Sequence, residues 1–172
     1  MSGAVRATLA RILDETPDPP GVDADAARLG MSREQGIARL SANADPFVSD
    51  RAAVQRVVFC SGKVAWDAMA ERDKRQAPVA VVRVEQLYPF PLEQMRAILQ
   101  RYPNAKQVVW LQEEPDNMGP WRFVEARFWN IKEQGYDLRL ASRIGSGSPA
   151  TGSKAIHDQE LADLMDDTFR DL

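Results

Sequence analysis

The sequence predicts a three-layer α/β domain, with helices on both faces of a mostly parallel sheet, preceded by a weakly structured N-terminal arm. Short apolar runs of the kind found in strands buried on both faces alternate with segments whose apolar residues fall at one-face helical spacing. Alternation of this kind is typical of a mostly parallel sheet, and right-handed crossovers then place helices on both of its faces.

Residues 1–50 are predicted to be an accessory arm and linker, partly helical. Residues 2–15 have an amphipathic pattern, Ser32 begins a second short helical pattern, and the segment 16–30 between them is rich in proline and glycine. This part offers little apolar surface to offset the entropy of ordering the chain. We therefore expect residues 51–172 to form the α/β domain and the arm to be dispensable for its folding.

The elements of the domain follow from the pattern after Val54. The predicted strands are 56–60, 79–84, 107–111 and 137–142. The first three are apolar runs, and Pro115 is expected to end the third; the fourth alternates apolar and polar residues, which predicts an edge strand. Cys60 ends the first strand and is expected to be a buried, inert thiol.

Helices are predicted to follow each strand. They begin after Lys63, near Pro91, near Gly119, where Asp116 or Asn117 is expected to cap the helix, and at His157. Gly135 is expected to end the third helix. The closing helix, 157–169, is expected to bury one apolar stripe made of Ile156, Leu161, Leu164, Met165 and Phe169.

Composition narrows the function classes. A net charge of −3 gives no basic footprint for nucleic acid. The single cysteine cannot form an internal disulfide, and the single histidine, His157, disfavours histidine-based metal centres and a Ser-His-Asp triad. No apolar run is long enough to span a membrane. We expect a cytoplasmic protein without nucleic-acid or membrane partners, and no metal site or catalytic residue in this chain.

The acidic motif after the third strand is the main candidate site. Glu113 and Glu114 follow the apolar run, at the strand end where function collects in open α/β sheets. Adjacent strand residues point in opposite directions, which favours a structural or interface role over an acid/base pair. The predicted members of this motif are Arg83, Glu85, Glu113, Glu114, Asn117 and Trp121. Arg83 and Glu85 are expected to pair with the two motif carboxylates.

Two loops are candidates for binding an anion or effector. Ser61 and Lys63 lie between a strand and a helix, where helix amides could bind an anion. The loop 145–154 offers amides and hydroxyls around Ser146, Ser148, Thr151 and Lys154. The alternatives are a tight turn at the first position and a simple connector at the second.

Four segments carry a resemblance to a known family: 56–72, 79–91, 101–121 and 145–153, with VEQLYPFP and QEEPDNMGPW the most specific runs. In that order and spacing they resemble the C-terminal domain of the thiamine-dependent, decarboxylating first component of 2-oxoglutarate dehydrogenase. The resemblance covers Arg56 to Leu172, and residues 1–45 resemble no family. This sequence departs from the family's Gly-Arg-Pro, which is Ser142-Arg143-Ile144 here. At Leu92-Glu93-Gln94-Met95 it is less basic than the family's actinobacterial branch, in which acetyl-CoA is an allosteric activator.

The resemblance implies a transketolase C-terminal-domain-like fold that helps to form a homodimer. In the whole enzyme, thiamine diphosphate and Mg lie between two upstream domains, and the succinyl group passes to the acyltransferase component in the tricarboxylic acid cycle. The implied function of this chain is therefore an assembly or dimer-interface domain that binds no cofactor and is inactive alone. The alternative is a stand-alone binding module for a CoA-type or phosphorylated small-molecule effector.

Overall fold

The computed structural model describes residues 50–85 and 87–172, in which strands and helices alternate. The strands are β1 (Arg56–Cys60), β2 (Val79–Arg83), β3 (Gln107–Pro115) and β4 (Asp137–Arg143). The helices are α1 (Val64–Arg75), α2 (Leu92–Leu99), α3 (Trp121–Lys132) and α4 (Lys154–Phe169). The two helices predicted in the N-terminal arm lie outside the described residues.

The four described strands form one parallel sheet in the order β2-β1-β3-β4. Helix α1 packs with α4, and α2 packs with α3, so helices cover the sheet in two pairs. This confirms the predicted α/β fold class with its parallel sheet. The alternating strand β4 is an edge strand of this sheet, as its pattern predicts.

The core lies around the two central strands. Every residue of β1 is buried, and the Cys60 thiol lies 3.8 Å from the carbonyl oxygen of Val82, which confirms its predicted burial. Phe128 of α3 meets Phe59 of β1 and Trp110 of β3 in edge-to-face contacts, with ring centroids 5.9 and 6.2 Å apart. Aromatic pairs of this geometry add to the stabilisation from burial alone.

Strand β3 continues beyond its apolar run, through the acidic motif, and ends at Pro115, which confirms the prediction for this proline. After Leu111 the register against β4 shifts, and Pro115 then pairs with Arg143. Proline has no N–H to donate, and the next amide, that of Asp116, donates to the carbonyl of Arg143 at 3.0 Å. Pairing with the edge strand therefore carries β3 past its apolar run.

Two helix starts differ from prediction. Helix α3 begins at Trp121 with Pro120 at its N-cap, and neither Asp116 nor Asn117 caps it. Helix α4 begins at Lys154, and Ile156 is 53% exposed instead of lying on the buried stripe. Counting back from Thr168 and Leu164 at helical spacing leads to Leu161 and His157, so His157 takes the inward position in the first turns.

Two arginines join the sheet to the C-terminal end of α4. Buried Arg56 donates to the carbonyls of Thr168 at 2.6 Å and Arg170 at 2.7 Å, and also to the Gln107 side chain. Arg139 of β4 donates to the carbonyl of Asp167 at 2.8 Å. Burial, followed by the nearby Arg139 charge, lowers the pKa of Arg56 to about 10. The last carbonyls of a helix favour cations, so this pair holds α4 on the sheet.

Candidate functional site

Gln112 is the centre of the acidic motif. Its side chain is buried, and Nε2 donates to the carbonyls of Pro115 at 3.0 Å, Met118 at 2.9 Å and Glu114 at 3.3 Å. Oε1 accepts from the Trp121 backbone amide at 3.1 Å and from the Trp110 indole at 3.3 Å. One side chain thus holds the end of β3, the following turn and the start of α3.

The turn closed by Gln112 depends on Gly119. Its φ of +67° is a conformation that side chains rarely allow, and a Cβ there would lie 3.1 Å from the Glu114 side chain and 3.2 Å from Gln112 Nε2. The Glu114 side chain is exposed, and it has no hydrogen bond or ion pair within residues 50–85 and 87–172. Trp121 is buried at the start of α3, 8% exposed.

Glu113 belongs to a cluster built around Arg143 at the end of β4. The Arg143 side chain is only 6% exposed, and its guanidinium lies 3.7 Å from the Glu113 carboxylate and 3.5 Å from the Glu160 carboxylate. Nη2 lies 3.0 Å from His157 Nδ1, within hydrogen-bond distance, and the arginine can only be the donor in this contact. Within the described part of the chain, the buried Nε of Arg143 has no hydrogen-bond partner.

Arg83 and Glu85 do not pair with the motif carboxylates, so that prediction is wrong. They pair with each other, Nε to Oε1 at 2.7 Å, and Arg83 also lies over the Trp66 ring, 5.0 Å from its centroid. The reason is the strand order, since β1 lies between β2 and β3. Arg143, from the other neighbour of β3, takes the place that was expected for Arg83.

Asn117 connects the motif to the loop after β4. Its side-chain amide donates to the Ser146 carbonyl at 2.9 Å, and its oxygen accepts from the Ser146 amide at 3.1 Å. A Cβ on Gly145 would lie 2.7 Å from a carboxylate oxygen of Asp116, so the two segments approach closely. The Asx pair that was expected to cap a helix instead fixes the 144–153 loop against the end of β3.

We predict that Asn117→Ala will loosen this loop. The two hydrogen bonds to Ser146 are lost at an exposed position, so we expect the free energy of unfolding to fall by about 1–2 kcal/mol. Amide hydrogen exchange at Ser146 should accelerate well beyond that of the core strands. Ser148→Ala, which removes a hydroxyl bonded only within the loop, is the matched control. Equal exchange at Ser146 in parent and Asn117→Ala would contradict the assignment.

At the two candidate anion sites, the lysines and hydroxyls pair with other groups of the chain. Lys63 pairs with Asp67 at 3.5 Å and Lys154 pairs with Asp158 at 2.5 Å, each one helical turn ahead. The loop hydroxyls also bond locally: Ser146 Oγ accepts from the Ser148 amide, and Thr151 Oγ1 accepts from the Ser153 amide. Ser61 is partly buried at the end of β1. Anion binding at these two loops stays a prediction.

Sequence reasoning missed Gln112 and the Arg143–His157 pair. The signal for Gln112 was its place directly after a strand buried on both faces, because a buried polar side chain there must find partners. The signal for His157 was the helical spacing of α4, which brings it inward. Neither pattern predicts the partner of the side chain, because the partner depends on which strands are neighbours in the sheet.

Two features are absent from residues 50–85 and 87–172. No helix in this part of the chain is both long and apolar enough to cross a membrane. Nor do three or more His, Cys, Asp or Glu side chains come together there in a way that could hold a metal ion.

Comparison with known proteins identifies the family. The family model described as 2-oxoglutarate dehydrogenase C-terminal matches residues 31–169. The match begins well before Arg56, so the similarity to this family extends to residues 31–49. These residues were predicted to belong to the arm, and residues 31–45 were predicted to resemble no family.

Individual relatives agree with the family match. The 2-oxoglutarate dehydrogenase E1 component of Cupriavidus necator is 43% identical over 120 residues, 69% of this chain and 13% of that protein. The E1 component of an Exiguobacterium strain is 41% identical over 115 residues, 65% of this chain and 12% of that protein. The 2-oxoadipate dehydrogenase complex component E1 of Danio rerio is 42% identical over 121 residues, which are 69% of this chain and 13% of that protein.

The chain thus spans only 12–13% of the length of these relatives. The family match nevertheless includes every strand and helix of the described domain. This chain belongs to the 2-oxoglutarate dehydrogenase C-terminal family.

Proposed function

We propose that this chain is the assembly and dimer-interface domain of a thiamine-dependent 2-oxoglutarate dehydrogenase E1 component and is not catalytic alone. The enzyme concerned oxidatively decarboxylates 2-oxoglutarate in the tricarboxylic acid cycle. Its partners would be the upstream thiamine-binding domains of the same enzyme, a second copy in the homodimer, and the acyltransferase component. The family match and the E1 relatives support this proposal.

The observation that carries the proposal is how the acidic motif uses its polar groups. The nitrogen and the oxygen of the Gln112 side-chain amide both form hydrogen bonds with the β3–α3 turn. Both atoms of the Asn117 side-chain amide form hydrogen bonds with Ser146. Glu113 faces the buried Arg143. A substrate site needs groups left available for the substrate, whereas these groups hold the domain together.

The described residues offer no cluster of side chains that suits the Mg of the family's cofactor. Mg needs oxygen ligands in an octahedral arrangement, and no suitable group of three or more acidic, cysteine or histidine side chains exists in residues 50–85 and 87–172. We therefore assign no thiamine diphosphate or Mg ligand to this part of the chain and derive no catalytic step from it.

The domain is about equally similar to E1 components that are named for two related substrates. It is 43% identical to an E1 component named for 2-oxoglutarate and 42% identical to one named for 2-oxoadipate. Substrate choice is accordingly proposed to be a property of other domains. The expected cytoplasmic location stays a prediction, since a Caenorhabditis briggsae relative, 43% identical over 119 residues, is named mitochondrial.

We predict that the purified chain will not turn over 2-oxoglutarate in the presence of thiamine diphosphate, Mg and an artificial electron acceptor. It should, however, bind the E1 remainder, by which we mean the Cupriavidus necator E1 component without its matched segment. Binding is measured by isothermal calorimetry or sedimentation. Turnover above a heat-killed control, or no association with a folded E1 remainder, would refute the proposal.

A further inference from the structure

One corner of the sheet combines exposed apolar side chains with carboxylates that lack partners. We define this β3–β4 corner by Glu114 and Asp116 at the end of β3, Ile144 directly after β4, and Ile156 in the first turn of α4. Ile144 is 91% exposed and Ile156 is 53% exposed. Ile144 directly follows Arg143, and Ile156 directly precedes His157, whose Nδ1 lies 3.0 Å from Arg143. Each isoleucine is therefore the chain neighbour of a residue in the contact that joins β4 to α4.

The acidic part of the corner adjoins the same contact. The Asp116 amide donates to the Arg143 carbonyl at 3.0 Å, and the Asp116 carboxylate approaches Gly145. In the described part of the chain, neither Asp116 nor Glu114 has an ion-pair partner for its carboxylate. On the α4 side of the sheet, Glu113 and Glu160 share the guanidinium of Arg143. Negative charge therefore exceeds positive charge at this corner.

The fold itself does not use these features. Exposed apolar groups rimmed by charge are typical of protein interaction surfaces, where an apolar centre is buried and a charged rim steers the approach. The local sign of charge disfavours nucleic acid, and no metal-binding group is present among the described residues. The complementary surface is one with an apolar centre and lysines or arginines at its rim.

We infer that the β3–β4 corner is the surface by which this domain docks onto an apolar, basic surface of the rest of an E1 component. The inference rests on the proposed function and adds to it the face of the domain that is used and the chemistry of its partner. Ile144 is the apolar contact at the centre. Asp116 and Glu114 pair with cations of the partner.

The test measures the affinity of the full 172-residue chain for the E1 remainder. Ile144→Asn should weaken binding about tenfold, because an apolar anchor is removed from the interface centre. Asp116→Lys should weaken it by a similar factor and flatten its salt dependence. Trp129→Asn is the matched control, since Trp129 is a 60% exposed apolar residue in the last turns of α3, away from this corner. Its affinity should match that of the parent.

The outcomes separate the two proposals. If the parent does not bind a folded E1 remainder, the proposed function fails and this inference fails with it. If the parent binds and the corner variants bind equally well, or if only Trp129→Asn weakens binding, the corner is not the docking surface and the proposed function stands. Unchanged unfolding midpoints show that the variants are folded. If the E1 remainder is unfolded, the same variants are compared in a chimaeric Cupriavidus necator E1 component in which residues 50–172 of this chain replace the matched segment. The measured quantity is then the turnover of 2-oxoglutarate.

Discussion

Gln112→Leu should lower the free energy of unfolding by about 3 kcal/mol or more. Leucine fills a similar volume but makes none of the five hydrogen bonds of Gln112, and each buried group left unpaired costs about 1–3 kcal/mol. The total loss will be smaller than the sum of these costs, because the turn can relax and expose some of the unpaired groups to water. The measurement is the denaturant midpoint and slope of the purified chain.

Two companion variants sharpen this test. Glu114→Gln changes the neighbouring exposed side chain and should shift stability by no more than about 0.5 kcal/mol. Gln112→Glu keeps the acceptor for the Trp121 amide but loses the donors to three carbonyls, so its loss should approach that of leucine. If Gln112→Leu unfolds at the parent's midpoint, the amide of Gln112 does not hold the β3–α3 turn together.

Arg56→Met should also destabilise the domain by about 3 kcal/mol. Two effects oppose each other, because the lowered pKa of Arg56 shows that its charge is disfavoured by burial and by Arg139. Methionine relieves that penalty, yet it leaves the Arg170 carbonyl and the Gln107 side chain without this donor. Hydrogen bonds to charged groups are worth about 1.5–3 kcal/mol each, so the loss of several outweighs the relief.

The control for Arg56 is Lys106→Met, which removes an exposed cation next to Gln107 at the same end of the sheet. It should leave the unfolding midpoint within experimental error of the parent. Arg56→Lys should be intermediate, since a single ammonium cannot reach all the acceptors that the guanidinium fork reaches. Equal midpoints for Arg56→Met and Lys106→Met would show that α4 is held by its apolar contacts alone.

The sequence was sufficient for the fold class because each strand has its own apolar run. It was insufficient for the order of the strands, which depends on how each crossover passes over the sheet. That single gap explains the wrong pairing of Arg83 with the acidic motif, since β1 separates their strands. It also explains why Arg143, four residues beyond Arg139 on β4, was not assigned to the motif.

The position of the acidic motif in the fold was predicted in part. Glu113, Asn117 and Trp121 do lie at the connection of β3 with α3 and the 144–153 loop. The chemistry of their contacts could not be predicted, because a side-chain amide can bond to a cap, a turn or a distant loop with similar energy. Asn117 illustrates this: its spacing suits a helix cap, and the close approach of Gly145 brings Ser146 to it instead.

The contact of Arg56 with α4 has a consequence for how the domain is made. The donor lies on the first strand, and its acceptors follow 112 and 114 residues later, at the end of the last helix. During synthesis the strands emerge well before those carbonyls exist, and pairing over such separations is slow to form. A nascent chain that stops before Thr168 leaves Arg56 without two of its acceptors. Strand β1 can therefore make its full set of contacts only after nearly the whole domain has been synthesised.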